Sequence, residues 1–255
     1  MMNENELIKK WMKYEKIKFD GWDFSHIKDS WENESLPWDY ADIVKNYLSS
    51  DLELLDMGTG GGEFLLTLNH PYSKTSVTEG WKPNIELLRN KLEPLGIKVA
   101  PIGDDGIIDY GDNRFDMIIN RHESFNIEEV KRVLKPNGIF ITQQVGGKNG
   151  NRLSNMLIPN FLPKYEDLSL RNILRDLKEY NFDILFADEY FPYQKFFSME
   201  ALIYYAKVIE WEFPGFNVKN NFNQLLNAYD ELKRNGYIRN YEHRFLIVAF
   251  NNKQS

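Results

Sequence analysis

Residues 52–64 read Leu-Glu-Leu-Leu-Asp-Met-Gly-Thr-Gly-Gly-Gly-Glu-Phe: a short apolar run, an acid at its end, glycines at 58, 60 and 62, then the opening of a helical stretch. Glycines at such a turn strip the backbone of Cβ atoms, so a ligand can lie directly against it, and the following helix N-terminus offers unpaired N–H groups. The pattern predicts a nucleotide-type cofactor site around Asp56, Gly58, Gly60 and Gly62. A glycine-rich turn without a ligand is the plainer alternative.

Spacing separates the cofactors. A dinucleotide fingerprint, G-x-G-x-x-G, requires glycine at position 63, where Glu63 would set a carboxylate beside a pyrophosphate. That disfavours a nicotinamide-dependent oxidoreductase. The observed D-x-G-x-G-x-G from Asp56 to Gly62 resembles motif I of the class I S-adenosylmethionine-dependent methyltransferases, in a methyltransferase-11/25-like form. Their ligand carries an ammonium and a sulfonium in place of phosphates, so acids at Asp56 and Glu63 are compatible with it.

The resemblance continues in order along the chain. Glu79 closes a second strand in Val77-Thr-Glu-Gly80, 23 residues after Asp56, where the family places an acid that accepts both ribose hydroxyls. Two carboxylate oxygens suit a vicinal diol. Asp104-Asp105, followed by Tyr110-Gly-Asp-Asn-Arg-Phe115-Asp116, is similar to the segment in which an acid meets the adenine amino group and the next backbone N–H meets the ring. Taken alone, Asp104 reads as a loop acid. Phe115 to Asn120 is similar to the family's fourth strand, and Val133 to Ile141 to its helix, turn and fifth strand. The match spans about residues 50–146, with a last strand near 243–250. The resemblance implies S-adenosylmethionine as cofactor and, around it, Asp56, Gly58, Thr59, Gly60, Gly62, Glu79, Gly80, Asp104, Asp105 and Asn120.

Two departures bear on the acceptor. Asp109 stands where a proline commonly precedes the aromatic residue, and Arg121-His122-Glu123-Ser124 is not the Asn/Asp-Pro-Pro-aromatic signature of nucleic-acid amino-methylating enzymes. His122 follows the fourth strand, the region from which this fold presents groups to the reacting methyl. It is a candidate general base, a candidate positioning residue, or a histidine bonded to backbone. Gln143 and Gln144, entering the Gly146-Gly147 turn, are candidate amide contacts to a substrate. Tyr204, one of the aromatic residues between Tyr190 and Trp211, is a further candidate substrate-binding residue.

The elements that position these residues are legible from periodicity. Strand candidates at 75–78, 97–100, 115–120, 138–145, 184–187 and 243–250 alternate with helical stretches after Asp39, after Pro83, over Ile127–Leu134 and near Leu168–Tyr180. Strands separated by helices pair in parallel through right-handed crossovers. The expected fold is α/β: a doubly wound, mostly parallel seven-stranded sheet with N-terminal helices and a helical insertion before the last strand. The expected domains are an N-terminal helical cap over 1–50, anchored by Trp11, Tyr14, Trp22, Trp31 and Trp38; a Rossmann-like core over 51–190; an aromatic helical insertion over 191–240 acting as a substrate cap; and a final core strand over 241–255.

Composition closes off other chemistry. The 255 residues contain no cysteine, which excludes disulfides, thiolate nucleophiles, Cys-based zinc sites and iron–sulfur clusters. The four histidines, at 26, 70, 122 and 243, have no i,i+3 or i,i+4 pair to suggest a metal. A net charge of −7 gives no basic footprint for a phosphate backbone, so a small-molecule acceptor is favoured over nucleic acid. The start, MMNENELIKK, has no secretory pattern, and Ala201–Trp211 falls short of the ~18 apolar residues of a membrane span. A cytoplasmic enzyme is expected. A sensor or scaffold that binds S-adenosylmethionine without chemistry is the rival outside enzymes.

Overall fold

The computed structural model describes residues 3–18 and 24–252; Trp22 lies outside them. Two compact units emerge. One comprises residues 37–145, 167–189 and the described residues from 244 onward; the other joins the described residues among 1–36 to 146–166 and 190–243. In chain order the strands are β1 (Trp31–Asn33), β2 (Leu54–Met57), β3 (Thr75–Glu79), β4 (Lys98–Pro101), β5 (Phe115–Arg121), β6 (Leu134–Val145), β7 (Phe182–Tyr190), β8 (Tyr193–Phe196), β9 (Ile238–Tyr241) and β10 (Arg244–Asn251).

In the first unit seven strands form one sheet in the order β4-β3-β2-β5-β6-β10-β7. β2 is parallel to β3 and β5, β3 to β4, and β5 to β6, while β10 runs antiparallel to β6. Helices cover both faces, so the strands are apolar on both sides rather than alternating with polar residues. Leu54, Met117, Ile119 and Leu246 pack with Tyr40 and Val44 on one face; Leu55, Met57, Ile118, Phe140 and Phe245 pack with Val130 and Leu177 on the other. The helices begin where the local chemistry dictates. Asp39 caps Tyr40–Tyr47, Asn126 caps Ile127–Val133 and Ser169 caps Leu170–Glu179, each side-chain oxygen accepting a first-turn N–H. Pro83 stands in the first turn of Lys82–Leu92, where its missing N–H costs nothing.

β3 lies on one side of β2 and β5 on the other, so the strand order reverses at β2. A crevice opens at such a reversal, outside the carboxyl ends of the strands. Asp56, Glu79, Asn120 and Gln143 all occupy that end of their strands.

The second unit has its own core of Trp11, Leu153, Leu202, Tyr204, Phe213 and Leu225. Its first helix, Glu4–Glu15, starts in a capping box between Asn3 and Glu6. It differs from the expected helical insertion, because β8 lies within 191–240, β9 begins there, and the two form a three-stranded antiparallel sheet with β1. Strands of three or four residues are too short to display a period, and the partner of β8 on one side, Trp31–Asn33, is distant in sequence. The unit boundaries also differ from the expected domains. Helix Tyr40–Tyr47 packs on the seven-stranded sheet, through Tyr40 and Val44, and residues 146–166 fall with the second unit. No helix among the described residues is long and apolar enough to cross a membrane.

Candidate cofactor site at the carboxyl ends of the central strands

The glycine turn leaves β2 with positive φ at Gly58, Gly60 and Gly62 (67°, 60° and 75°), backbone that side chains with a Cβ rarely adopt. A Cβ on Gly60 would meet no atom within 4 Å, so this stretch of backbone faces open space. The helix beyond, Glu63–Thr67, has only five residues, and bare backbone rather than a helix terminus is what the turn offers. Lys91 fastens the turn from below by donating to Gly61 O at 2.7 Å and to Glu63 Oε1 at 2.6 Å. That hydrogen bond draws the Glu63 carboxyl below its usual range.

Asp56 and Glu79 lie on neighbouring strands, both buried. Burial raises Asp56 to about 7, opposed by the Thr59 hydroxyl and the Arg121 guanidinium and reinforced by Glu79. Glu79 reaches across to the turn. Its Oε2 accepts from Gly60 N–H at 3.0 Å and from Asn84 Nδ2 at 3.3 Å, and its Oε1 accepts from Trp81 N–H at 2.9 Å. A carboxylate held so, beside the bare Gly60 backbone, is placed to receive hydroxyl groups.

On the other side of β2, Asn120 is fully buried at the end of β5. Its Oδ1 accepts from Thr142 Oγ1 (3.0 Å) and Gln144 Nε2 (2.6 Å), while its Nδ2 is buried without a partner among the described residues. Buried donors without acceptors are costly and mark places where a ligand can supply one. Gln144 is internally committed, donating also to Glu123 O at 3.0 Å. Glu123 lies against the turn: a Cβ on Gly58 would fall 2.4 Å from its Cβ and 3.2 Å from its Oε2.

Gln143 joins two aromatic residues. Its Oε1 accepts from Trp38 Nε1 at 2.8 Å, and its Nε2 is 3.1 Å from His122 Nε2. His122 has φ 63°. His122 is exposed as a residue, and desolvation at its ring, with the Arg244 and Arg121 guanidiniums nearby, shifts it below the usual imidazole range, towards the neutral form. Arg121 lies over the Phe64 ring at 4.7 Å, and Tyr40 donates its hydroxyl to Asn120 O at 3.1 Å.

The structure thus brings Asp56, Gly58, Thr59, Gly60, Gly62, Glu79, Gly80, Asn120, His122, Gln143 and Gln144 to one end of the sheet. Asp104 and Asp105 are exposed on the loop after β4, with Asp105 Oδ1 accepting from Ile107 N–H. Tyr204 is buried in the other unit's core, its ring 5.4 Å from that of His26. Gly146 and Gly147 serve close packing in that unit: a Cβ on either would run into the His243 ring or Tyr165 O. The periodicity showed Trp38 only as an anchor and left Tyr40 and Glu123 without roles. An indole N–H, a phenol and a carboxylate flanking a predicted site were the available signals.

Residues 55–142 match a family model described as a methyltransferase domain. Over that stretch the chain is similar to a methyltransferase domain. The match points to a methyltransferase as the enzyme class. Solved structures share the chain's fold at low identity. The YcgJ protein from Bacillus subtilis is 18% identical, with 84% of this chain and 98% of that one covered and a TM-score of 0.56. A proposed methyltransferase from Bacillus halodurans is 13% identical over 84% and 97%, with a TM-score of 0.53. A proposed sarcosine dimethylglycine methyltransferase from Galdieria sulphuraria is 17% identical over 83% of each chain, with a TM-score of 0.51. No curated protein matches the chain.

Proposed function

We propose that the methyltransferase moves the methyl group of S-adenosylmethionine to a small-molecule acceptor by in-line displacement, with the cofactor lying on the Gly58–Gly62 turn. The observation that carries this reading is the pairing of the open backbone at Gly60 with the Glu79 carboxylate at its side. The fit is chemical. Glu79 offers two acceptor oxygens to the ribose diol, Asn120 Nδ2 offers a donor, Asp104 stands for the adenine amino group, and Glu123 sets an anion over Gly58 for the ammonium.

The bound cofactor supplies a methyl group on a positively charged sulfur: the acceptor's lone pair forms the new bond as the carbon–sulfur pair returns to sulfur. Alignment at roughly 3 Å in a site shielded from water supplies most of the catalysis, so a dedicated base is optional. The acidic character of the chain supports a small acceptor rather than a nucleic acid. Calorimetric titration with S-adenosylmethionine, S-adenosylhomocysteine and NAD tests the cofactor; binding of NAD alone would overturn it. Release of S-adenosylhomocysteine across a panel of amines, thiols, phenols and carboxylic acids tests the transfer, and binding with no release from any acceptor would favour a sensor.

A further inference from the structure

Hydrogen-bond bookkeeping at the end of β5 settles which nitrogen of His122 carries the proton. Trp38 Nε1 can only donate, so the Gln143 group facing it at 2.8 Å must be the carbonyl oxygen, and the Gln143 NH2 then faces His122 Nε2 at 3.1 Å. An amide nitrogen accepts nothing. His122 Nε2 must therefore present its lone pair to Gln143, which leaves the ring's single proton on Nδ1. Turning the amide over would set N–H against N–H at Trp38, so the arrangement has one solution. Its parts are fixed: Trp38 directly precedes the Asp39 cap, Gln143 lies within β6, and His122 N–H donates to Gln143 O at 2.8 Å.

We propose that Trp38 and Gln143 lock His122 as a neutral Nδ1–H hydrogen-bond donor that positions the methyl acceptor and does not take its proton. The proposal rests on the methyltransferase reading for the identity of the molecule positioned. The lone pair a general base would need is already engaged, and taking a second proton at Nε2 would break the bond to Gln143. Arg121 and Arg244, which flank the ring, oppose an imidazolium in the same direction. Among the described residues no partner takes the Nδ1–H. The acceptor this fits offers an oxygen lone pair to Nδ1–H and attacks through an atom that is already nucleophilic.

Long-range proton–nitrogen NMR of protein with 15N-labelled histidine, loaded with S-adenosylhomocysteine, reads the tautomer directly. The His122 signal is assigned by its loss in His122→Asn. Wild type is expected as the Nδ1–H form at pH 7. Gln143→Glu gives Trp38 and His122 a carboxylate that accepts from both, so His122 should switch to a form protonated at Nε2; Trp38→Phe, which frees the amide to turn, should give a mixture. An Nε2–H ring or an imidazolium in wild type overturns the proposal, as does a tautomer unmoved in both variants. With whichever panel acceptor turns over, His122→Asn, whose amide can donate from near the Nδ1 position, should keep kcat/KM within about threefold while His122→Ala loses roughly 10–100-fold. Equal loss in both would restore the base. Failure to bind S-adenosylhomocysteine is a separate result, which would remove the methyltransferase reading and leave the tautomer to be read on the free protein.

Discussion

Thr59 Oγ1 donates a 2.6 Å hydrogen bond to Asp56 Oδ2 and so ties the buried carboxyl that ends the apolar run of β2 to the glycine turn that follows it. Burial outweighs this bond and lifts Asp56 to about 7, from ~3.9 in an unfolded chain. The folded protein therefore holds a proton there that the unfolded chain gives up. The contribution of Asp56 to stability is full below about pH 4, is lost as the pH rises through about 7, and is level above. Asp56→Asn, which keeps an oxygen for Thr59, should match wild type at pH 4 and exceed it at pH 8 by on the order of 1–3 kcal/mol. Urea unfolding at both pH values measures this, and an equal gap at each would show that Asp56 does not titrate in this range.

Glu79 accepts N–H groups on both of its oxygens. Glu79→Gln must aim its NH2 at one of these donors, so the isosteric change should cost nearly as much as Glu79→Ala. We expect S-adenosylmethionine affinity to fall by on the order of 1–3 kcal/mol in each variant. Calorimetry decides, and a Gln variant that binds like wild type would place the ribose elsewhere.

At Gly60 the free protein and the complex should respond differently. Alanine there meets no neighbour, so its folding cost is the left-handed backbone alone, roughly 1–2 kcal/mol. Gly60→Val adds bulk on the side where the cofactor lies, and binding should be lost well beyond the change in stability. Paired thermal melts and titrations separate the two effects; a valine variant with undiminished affinity would move the cofactor off this turn.

The Glu123 carboxylate over Gly58 should discriminate between ligands with and without an amino-acid tail. Glu123→Gln is expected to weaken S-adenosylmethionine by about tenfold and to leave methylthioadenosine, which has no ammonium, unchanged. Tighter binding in the variant would instead show that Glu123 obstructs the site.

The sequence by itself determined the sheet and the turn. Strands buried on both faces are written as short apolar runs, and helices between them carry their caps next to them, at Asp39, Asn126 and Ser169, so local chemistry marks each element. Asp56 and the glycines were legible because the turn's backbone demands are local, and Glu79 because it closes the next strand. Tertiary structure alone decided what each side chain faces. The three-stranded sheet depends on pairing Trp31–Asn33 with residues more than 160 positions away, which no local period can announce. Gln143 read as a candidate amide contact to a substrate until packing set Trp38, 105 positions earlier, against its oxygen and His122 against its nitrogen. A hydrogen bond's direction depends on which partner arrives, and partners distant in the chain are chosen by the fold.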